Sequence, residues 1–474
     1  MNILFLTAEV APYAKVGGLA DVAGALPKAL RQLGHEVRVV MPRYRQIDAD
    51  RWDLCPGAEP FTVALGGESV QVSVLECIQA GVPIYFVDVG GMFQERAAVY
   101  GEADDSRRFL LFCAAALQLT QHLDWQPEIV HSNDWHTAIV PALRHHAGTA
   151  PFLEAAATMF TIHNLAYQGV VERAALGNVA ALLPEDVHDN WINMLALGLQ
   201  SADVLTTVSP TYAREILTPE YGAGLDWLLR ARQDRLYGVL NGIDYELFNP
   251  ETDPRIAANY SVEDLAGKAT CKQALQQEAG FALDPATPLL GMVGRLVDQK
   301  GTGLFAEAIG RLLHESSVQV TLLGQGEPRY QALLQRIEQQ YPGQFRAWLT
   351  FDAILAEHIY AGADMFVMPS QYEPCGLGQM IAMRYGTVPV VRGTGGLADT
   401  VQEGLPGEPR TGFVFWPYDA GALQDAIRRA IAAYGRREEW LKIVRNDMVA
   451  DHSWTRSAHA YLDLYRLAVD LARA

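Results

Sequence analysis

No apolar run in the chain approaches the roughly 20 residues that a helix needs to cross a bilayer, which argues against a membrane-spanning segment. There are only five cysteines, Cys55, Cys77, Cys113, Cys271 and Cys375, odd in number, widely scattered and without a C-x-x-C spacing. Such a set predicts reduced thiols in a cytosolic protein. Blocks of lysine or arginine are missing too, and 37 basic residues against 55 acidic ones leave a formal net charge of −18. That sign disfavours nucleic acid and acidic membranes as partners, so a phosphate ligand must be met locally, by a few placed cations and helix N-termini. The opening MNILFLTAEV has neither a basic leader nor a small-residue cleavage pattern. Low-complexity segments and short-period repeats are absent, and the expectation is a soluble, cytoplasmic chain folded nearly throughout.

What is present is ordinary globular composition, half hydrophobic and 19% charged, over 474 residues, enough for two domains with cores of their own. The N-terminal half reads as strand (Asn2 to Thr7), glycine loop, helix (about Leu19 to Leu33), a stop at Gly34 and the strand HEVRVVMP. Strand-like runs follow at VALGGESVQVSVLECI, VPIYFVDV, PEIVHSND, ATMFTIHN and ADVLTTVSP, with helical patterns between several of them. The stretch YGVLNGIDYELFNPETDP, from Tyr237 to Pro254, suits a connector. A second alternation then begins, with strands at TPLLGMVG, VQVTLLGQG, FRAWLTF, ADMFVMPS, TVPVVRG and TGFVFWP. This predicts an α/β protein of two doubly wound parallel domains, residues 1–240 and 250–456, with a ligand in the cleft between their strand ends. The amphipathic helix 457–474 is expected to rejoin the first domain.

Four stretches after expected strands carry chemistry. KVGGLADV, Lys15 to Val22, places Lys15, Gly17, Gly18 and Asp21 where a helix begins, an arrangement that brings backbone N–H groups close to a phosphate. It is not the G-x-G-x-x-G word of dinucleotide sites. HSNDWH (His131 to His136) and TIHNLAYQG (Thr161 to Gly169) offer Asp134, His163 and Asn164 to sugar hydroxyls, and the rings of Trp135 and Tyr167 to a pyranose face. His131, Asp134, His136 and His163 are also metal-ligand types, but their spacing is not H-E-x-x-H, and histidines satisfied by internal hydrogen bonds are a further reading. GRLVDQKG presents Arg295 and Lys300, suited to a diphosphate. SQYEPCGLGQ presents Glu373, Cys375, Gly376, Leu377 and Gly378 in a kinked loop entering a helix, where Glu373 alone could be no more than an N-terminal helix acid. RGTGGLADTV repeats the Gly-Gly-Leu-Ala-Asp word and offers a further glycine-lined helix start.

Taken in order, KVGGLADV, HSNDWH, TIHN, NGID at Asn241 to Asp244, GRLVDQKG, EPCGLGQ and TGGLADTV resemble the bacterial glycogen synthases and plant-type starch synthases of glycosyltransferase family 5. The resemblance spans essentially the whole chain. It implies the GT-B fold, two Rossmann-like domains facing a deep interdomain cleft, the first on the acceptor side and the second on the donor side. It also implies no metal and no cofactor, ADP-glucose as donor, and as acceptor the non-reducing end of an α-1,4-glucan such as glycogen or maltooligosaccharides. The compartment would be the cytoplasm, or the plastid stroma for a processed plant protein.

Carried over residue by residue, the resemblance makes Lys15, Arg295 and Lys300 the groups that offset charge on the leaving diphosphate, helped by N–H groups at Gly17, Gly18, Leu377 and Gly378. Glu373 would stabilise the glucosyl ring and bind near its 3-hydroxyl. His163 and Asn241 would hold sugar hydroxyls, Asp134 would lie close to the reacting carbon, and Asp21 would reach a ribose or order the glycine loop. Cys375 would belong to the loop that holds the sugar. One departure is Ile381, where relatives of the sucrose-phosphate-synthase type carry a second glutamate, eight residues beyond the first. Other readings are a UDP-glucose enzyme, a non-catalytic glucan-binding protein on the same scaffold, and a dinucleotide-dependent oxidoreductase disfavoured by the absent fingerprint.

Overall fold

A strand buried on both faces reads as a continuous apolar run, and NILFL does so as β1 (Asn2–Leu6), all but its first residue fully covered. In the computed structural model β1 lies in a nine-stranded sheet with β2 (Glu36–Pro42), β3 (Cys55–Leu65), β4 (Glu68–Gln79), β5 (Val82–Val89), β6 (Ile129–Asn133), β7 (Ala157–Ile162), β10 (Val204–Thr207) and β11 (Leu236–Gly238). The structure describes residues 1–65, 68–144, 153–184, 187–404 and 409–473. The sheet order is β11-β10-β7-β6-β1-β2-β5-β4-β3, with Ile3 of β1 opposite Val37 on one side and Ile129 on the other. From β11 to β5 every pairing is parallel.

The parallel expectation needs one correction at the sheet edge. β3 and β4 pair antiparallel with each other, and β4 pairs antiparallel with β5. The run VALGGESVQVSVLECI is therefore the end of one strand and all but the last residue of the next, and its Gly66 and Gly67 lie outside the described residues. A further short antiparallel pair, β8 (Val170–Glu172) and β9 (Trp191–Asn193), had no clear signal because three-residue strands show no period.

The first unit consists of Met1–Gly242 together with Trp454–Ala474, the second of Ile243–Ser453. The returning helix, Trp454–Arg473, starts three residues before the expected Ser457 and packs on the helix Gly18–Gln32. Its Ser457 hydroxyl donates to the Leu240 carbonyl at 2.6 Å, and its Tyr465 hydroxyl meets His131 Nδ1 at 2.8 Å. The connector Tyr237–Pro254 is more ordered than its composition predicts. Its first two residues belong to β11, and Asp253 is buried against Arg255, Nε to Oδ1 at 2.7 Å.

The second unit holds a six-stranded, all-parallel sheet, β12 (Leu289–Val293), β13 (Gln319–Leu323), β14 (Phe345–Trp348), β15 (Met365–Met368), β16 (Val388–Arg392) and β17 (Phe413–Phe415). Its order is β14-β13-β12-β15-β16-β17. All six strands fall within the six runs named from the sequence, because the strands are short and mostly apolar and five of them, all but β14, are closed by glycine or proline within two residues.

Candidate active site residues

In an open parallel sheet, the loops leaving two neighbouring strands diverge where the strand order reverses, and that divergence opens a crevice at the strand C-termini. The reversal falls between β1 and β6 in the first unit and between β12 and β15 in the second. KVGGLADV follows β1, HSNDWH ends β6, GRLVDQKG follows β12 and SQYEPCGLGQ follows β15. Four motifs found separately in the sequence thus converge on the two switch points, two to each.

In the first unit the glycine loop is held by a residue that sequence reading missed. Glu9, buried just beyond β1, accepts the Val16 N–H at 2.6 Å and the Gly17 N–H at 2.9 Å on one carboxylate oxygen. Its other oxygen accepts the Tyr100 hydroxyl at 2.8 Å. The Gly17 N–H expected to face a diphosphate is therefore already engaged by an internal carboxylate. The available signal was an acid three residues past a strand, in TAEVAP, overshadowed by the glycines. Lys15 Nζ lies 2.6 Å from Asp21 Oδ1 at the exposed start of the helix Gly18–Gln32.

At the end of β6 the backbone turns over at Asp134, whose φ of +55° is an uncommon conformation for a residue with a side chain. The turn aims its carboxylate at the loop after β7, where Oδ1 accepts the N–H groups of His163 at 2.7 Å and Asn164 at 3.3 Å. Burial pushes this carboxyl up to about 7 against those hydrogen bonds. His163 meets Asn133 Oδ1 through Nε2 at 2.9 Å. Because the Asn133 amide nitrogen donates to the Leu6 carbonyl, its oxygen is the acceptor, and His163 carries its proton on Nε2. Burial pushes His163 down to about 3, so it is a neutral ring that offers Nδ1 as an acceptor. Asn241, in the loop after β11, is buried with its side-chain oxygen unpaired.

The two other histidines considered as metal ligands, His131 and His136, belong to the core. His131 is fully covered between Tyr465 and Thr161, and His136 packs on Tyr100, Phe109 and Trp135. Both are pushed down to about 3 by burial. Among the described residues no three histidines, cysteines or acids converge as a metal site would require. Of the two rings expected to meet a pyranose, Trp135 is partly buried with one side against Gly169, where a Cβ at φ +61° would sit 2.2 Å from Trp135 Cε3, and Tyr167 is exposed.

In the second unit Lys300 and Glu373 meet across the switch point, Nζ to Oε2 at 2.6 Å, and the Ser370 hydroxyl donates to the same oxygen at 2.9 Å. Gly301, at φ +69°, lets the chain turn there, since a Cβ would come 2.1 Å from the Pro369 carbonyl oxygen. Arg295 is exposed, its Nη2 3.2 Å from Gln299 Oε1. Beneath the EPCG loop the buried Gln379 amide donates to the carbonyls of Cys375 at 3.1 Å and Gly376 at 3.0 Å, a clamp with no sequence signal beyond a glutamine in an apolar helix. Cys375 is buried, Gly376 turns at φ +75°, and Leu377 and Gly378 open the helix Gly378–Arg384. The second GGLAD word is not an open helix start. Its Gly396 N–H donates to the carbonyls of Glu373 and Pro374, and the EPCG backbone fills the space over both glycines.

Residues 2–231 match the family model for the starch synthase catalytic domain, and residues 287–433 match that for glycosyl transferases group 1. A glycogen synthase from Anaeromyxobacter sp. strain Fw109-5 is 47% identical, covering 98% of this chain and 99% of that protein. Glycogen synthase 2 of Geobacter sulfurreducens is 44% identical over the full length of both. The chain belongs to the glycogen and starch synthase family. Among solved structures, the catalytic domain of starch synthase IV from Arabidopsis thaliana, bound to ADP and acarbose, matches with a TM-score of 0.91 at 37% identity, covering 99% of each chain. Sucrose-phosphate synthase from Thermosynechococcus elongatus shares the fold, with a TM-score of 0.61 at 19% identity over 98% of each chain. The fold of this glycogen synthase relative is GT-B, two Rossmann-like units, and its activity is the glucosyl transfer of glycogen and starch synthases. Among the described residues no helix is long and apolar enough to cross a membrane.

Proposed function

We propose that the protein transfers glucose from ADP-glucose to the 4-hydroxyl at the non-reducing end of an α-1,4-glucan, with retention at the anomeric carbon, in the cytoplasm. The observation that carries this reading is the Lys300–Glu373 pair at the switch point of the second unit, a cation and a carboxylate side by side where a nucleotide sugar would lie. Starch synthase IV, whose structure holds ADP and acarbose, supports the choice of ligands.

In the transfer, the bond between the anomeric carbon and the diphosphate oxygen breaks as the acceptor oxygen attacks from the same face. The acceptor's proton passes to the departing phosphate oxygen, so that no second carboxylate is needed to take it. Lys300 and Arg295 offset the charge that builds on the diphosphate, with Lys15 as a further cation and Gly18, Leu377 and Gly378 as N–H donors. Glu373, paired with Lys300, faces the positive charge on the ring and the 3-hydroxyl. His163, Asn164 and Asn241 meet sugar hydroxyls, with Asp134 close to the reacting carbon.

The reading is tested by supplying ADP-glucose and UDP-glucose in parallel with maltoheptaose and recording the product by proton NMR. It requires faster transfer from ADP-glucose and a new α-1,4 linkage. A β-linked product would exclude retention, and preference for UDP-glucose would exclude the proposed donor.

A further inference from the structure

Outside the residues used so far, the C-terminal edge of the second sheet carries two exposed aromatic rings. Trp416 follows β17 and is 65% exposed, with Tyr418 two residues on at 39%. An exposed tryptophan is usually loosely held, but this one is fixed. A Cβ on Gly393 would lie 2.6 Å from Trp416 Cε3, so the ring rests on the glycine backbone with its outer side open. The Gly393 N–H donates to the Phe415 carbonyl at 2.8 Å, and Arg392 Nε donates to the Trp416 carbonyl at 3.2 Å. Arg392 also lies 5.4 Å over the Tyr418 ring and donates to the Gln371 carbonyl. The Tyr418 hydroxyl reaches the Asp298 carbonyl at 3.5 Å. The two rings are thereby tied to the loop carrying Glu373 and to the loop carrying Lys300.

The order of the sheet gives this platform a direction. Arg295 and Lys300 follow β12, Glu373 follows β15, Gly393 to Gly396 follow β16 and Trp416 follows β17, and these strands are consecutive neighbours. If the diphosphate lies at β12 and the donor sugar at β15, the strands beyond, at intervals of about 4.8 Å, lead away from the nucleotide. A chain of pyranoses presents flat C–H faces along its length, and a rigid ring with one side sealed and one side open suits such a face.

We propose that Trp416, seconded by Tyr418, is a stacking site for the α-glucan chain on the second unit, separate from the residues that carry the transfer. The identity of the ligand rests on the glucosyl-transfer reading above, whereas the binding measurement does not require turnover. Dissociation constants for maltoheptaose are to be measured by calorimetry on the full chain, together with KM for maltoheptaose and for ADP-glucose. Variants are Trp416→Ala, Trp416→Phe and Gly393→Ala, with Phe351→Ala as the control for losing an exposed ring after β14, at the opposite edge of the sheet.

Trp416→Ala is expected to weaken maltoheptaose binding about five- to tenfold and to raise its KM in step, with KM for ADP-glucose and kcat unchanged. Trp416→Phe should recover most of the loss. Gly393→Ala, which displaces the ring without removing it, should weaken binding similarly. Unchanged maltoheptaose binding in Trp416→Ala, a loss equally large in Phe351→Ala, a wild-type chain that binds no maltoheptaose, or a rise in KM for ADP-glucose alone would each overturn the proposal. Binding that depends on Trp416 in a protein without transfer activity would instead uphold the platform and defeat the glucosyl-transfer reading.

Discussion

Asp134 and Lys300, both proposed for the transfer, can each be tested by a single substitution. The folded-state pKa of Asp134, about 7, lies above the roughly 3.9 of a free aspartate, so the folded chain holds this proton more tightly than the unfolded one. Its contribution to stability is fully present below pH ~4 and is lost as pH rises through 7. Asp134→Asn retains an oxygen for the His163 and Asn164 N–H groups, and it should gain on wild type by roughly 1–3 kcal/mol between pH 5 and 8 in urea unfolding. A difference that does not change with pH would show that the carboxyl is not raised. Lys300→Ala should lower kcat by about 10²-fold or more, with unfolding measured alongside because Glu373 is left buried without its cation. An unchanged kcat in the folded variant would remove Lys300 from the site. These residues were legible because charge and glycine concentrate at strand ends. Glu9 and Gln379 were not, since their partners, backbone groups and the hydroxyls of Tyr100 and Thr400, are brought to them only when the chain folds.

The same five-residue word, GGLAD, opens a helix in each unit, with different surroundings. Gly17 has nothing within 4 Å of where a Cβ would point, whereas a Cβ on Gly395, at φ +44°, would lie 1.9 Å from the Glu373 carbonyl oxygen. Gly17→Ala is therefore expected to change stability by no more than about 0.5 kcal/mol, whereas Gly395→Ala should cost several kcal/mol or prevent folding. Equal urea midpoints for the two variants would contradict the contact between TGGLADTV and the EPCG loop. The repeated word begins a helix in both places, at its second glycine in the first unit and at its first in the second, and what covers each start is a tertiary matter. The sheets divide in the same way. Short apolar strands closed by glycine or proline could be read directly, while the antiparallel edge was signalled only by the polar and apolar alternation of ESVQVSV, the pattern of a strand with one solvated face.

Over the whole molecule, the first unit is closed by the far end of the chain. Trp454, Tyr461, Leu462 and Tyr465 of the last helix are buried in the core of the first unit, and Tyr465 supplies the partner of His131. A chain ending at Ser453 should lose most of the first unit's protection against hydrogen exchange, since each of these side chains is worth roughly 1.5–3 kcal/mol of burial. Retained protection would show that the helix is dispensable. The sequence announced this helix through its amphipathic period, whereas its destination is a tertiary matter, because an apolar face requires a partner without specifying which. The Lys300–Glu373 pair is proposed to serve glucosyl transfer from ADP-glucose to glucan. The most direct measurement is ADP release by the purified chain given ADP-glucose, with and without glycogen, in wild type and Glu373→Ala. Glycogen-dependent release that falls by at least about 10²-fold in the variant is the expected result. Release that survives the substitution, or no release by folded wild-type protein, would contradict it.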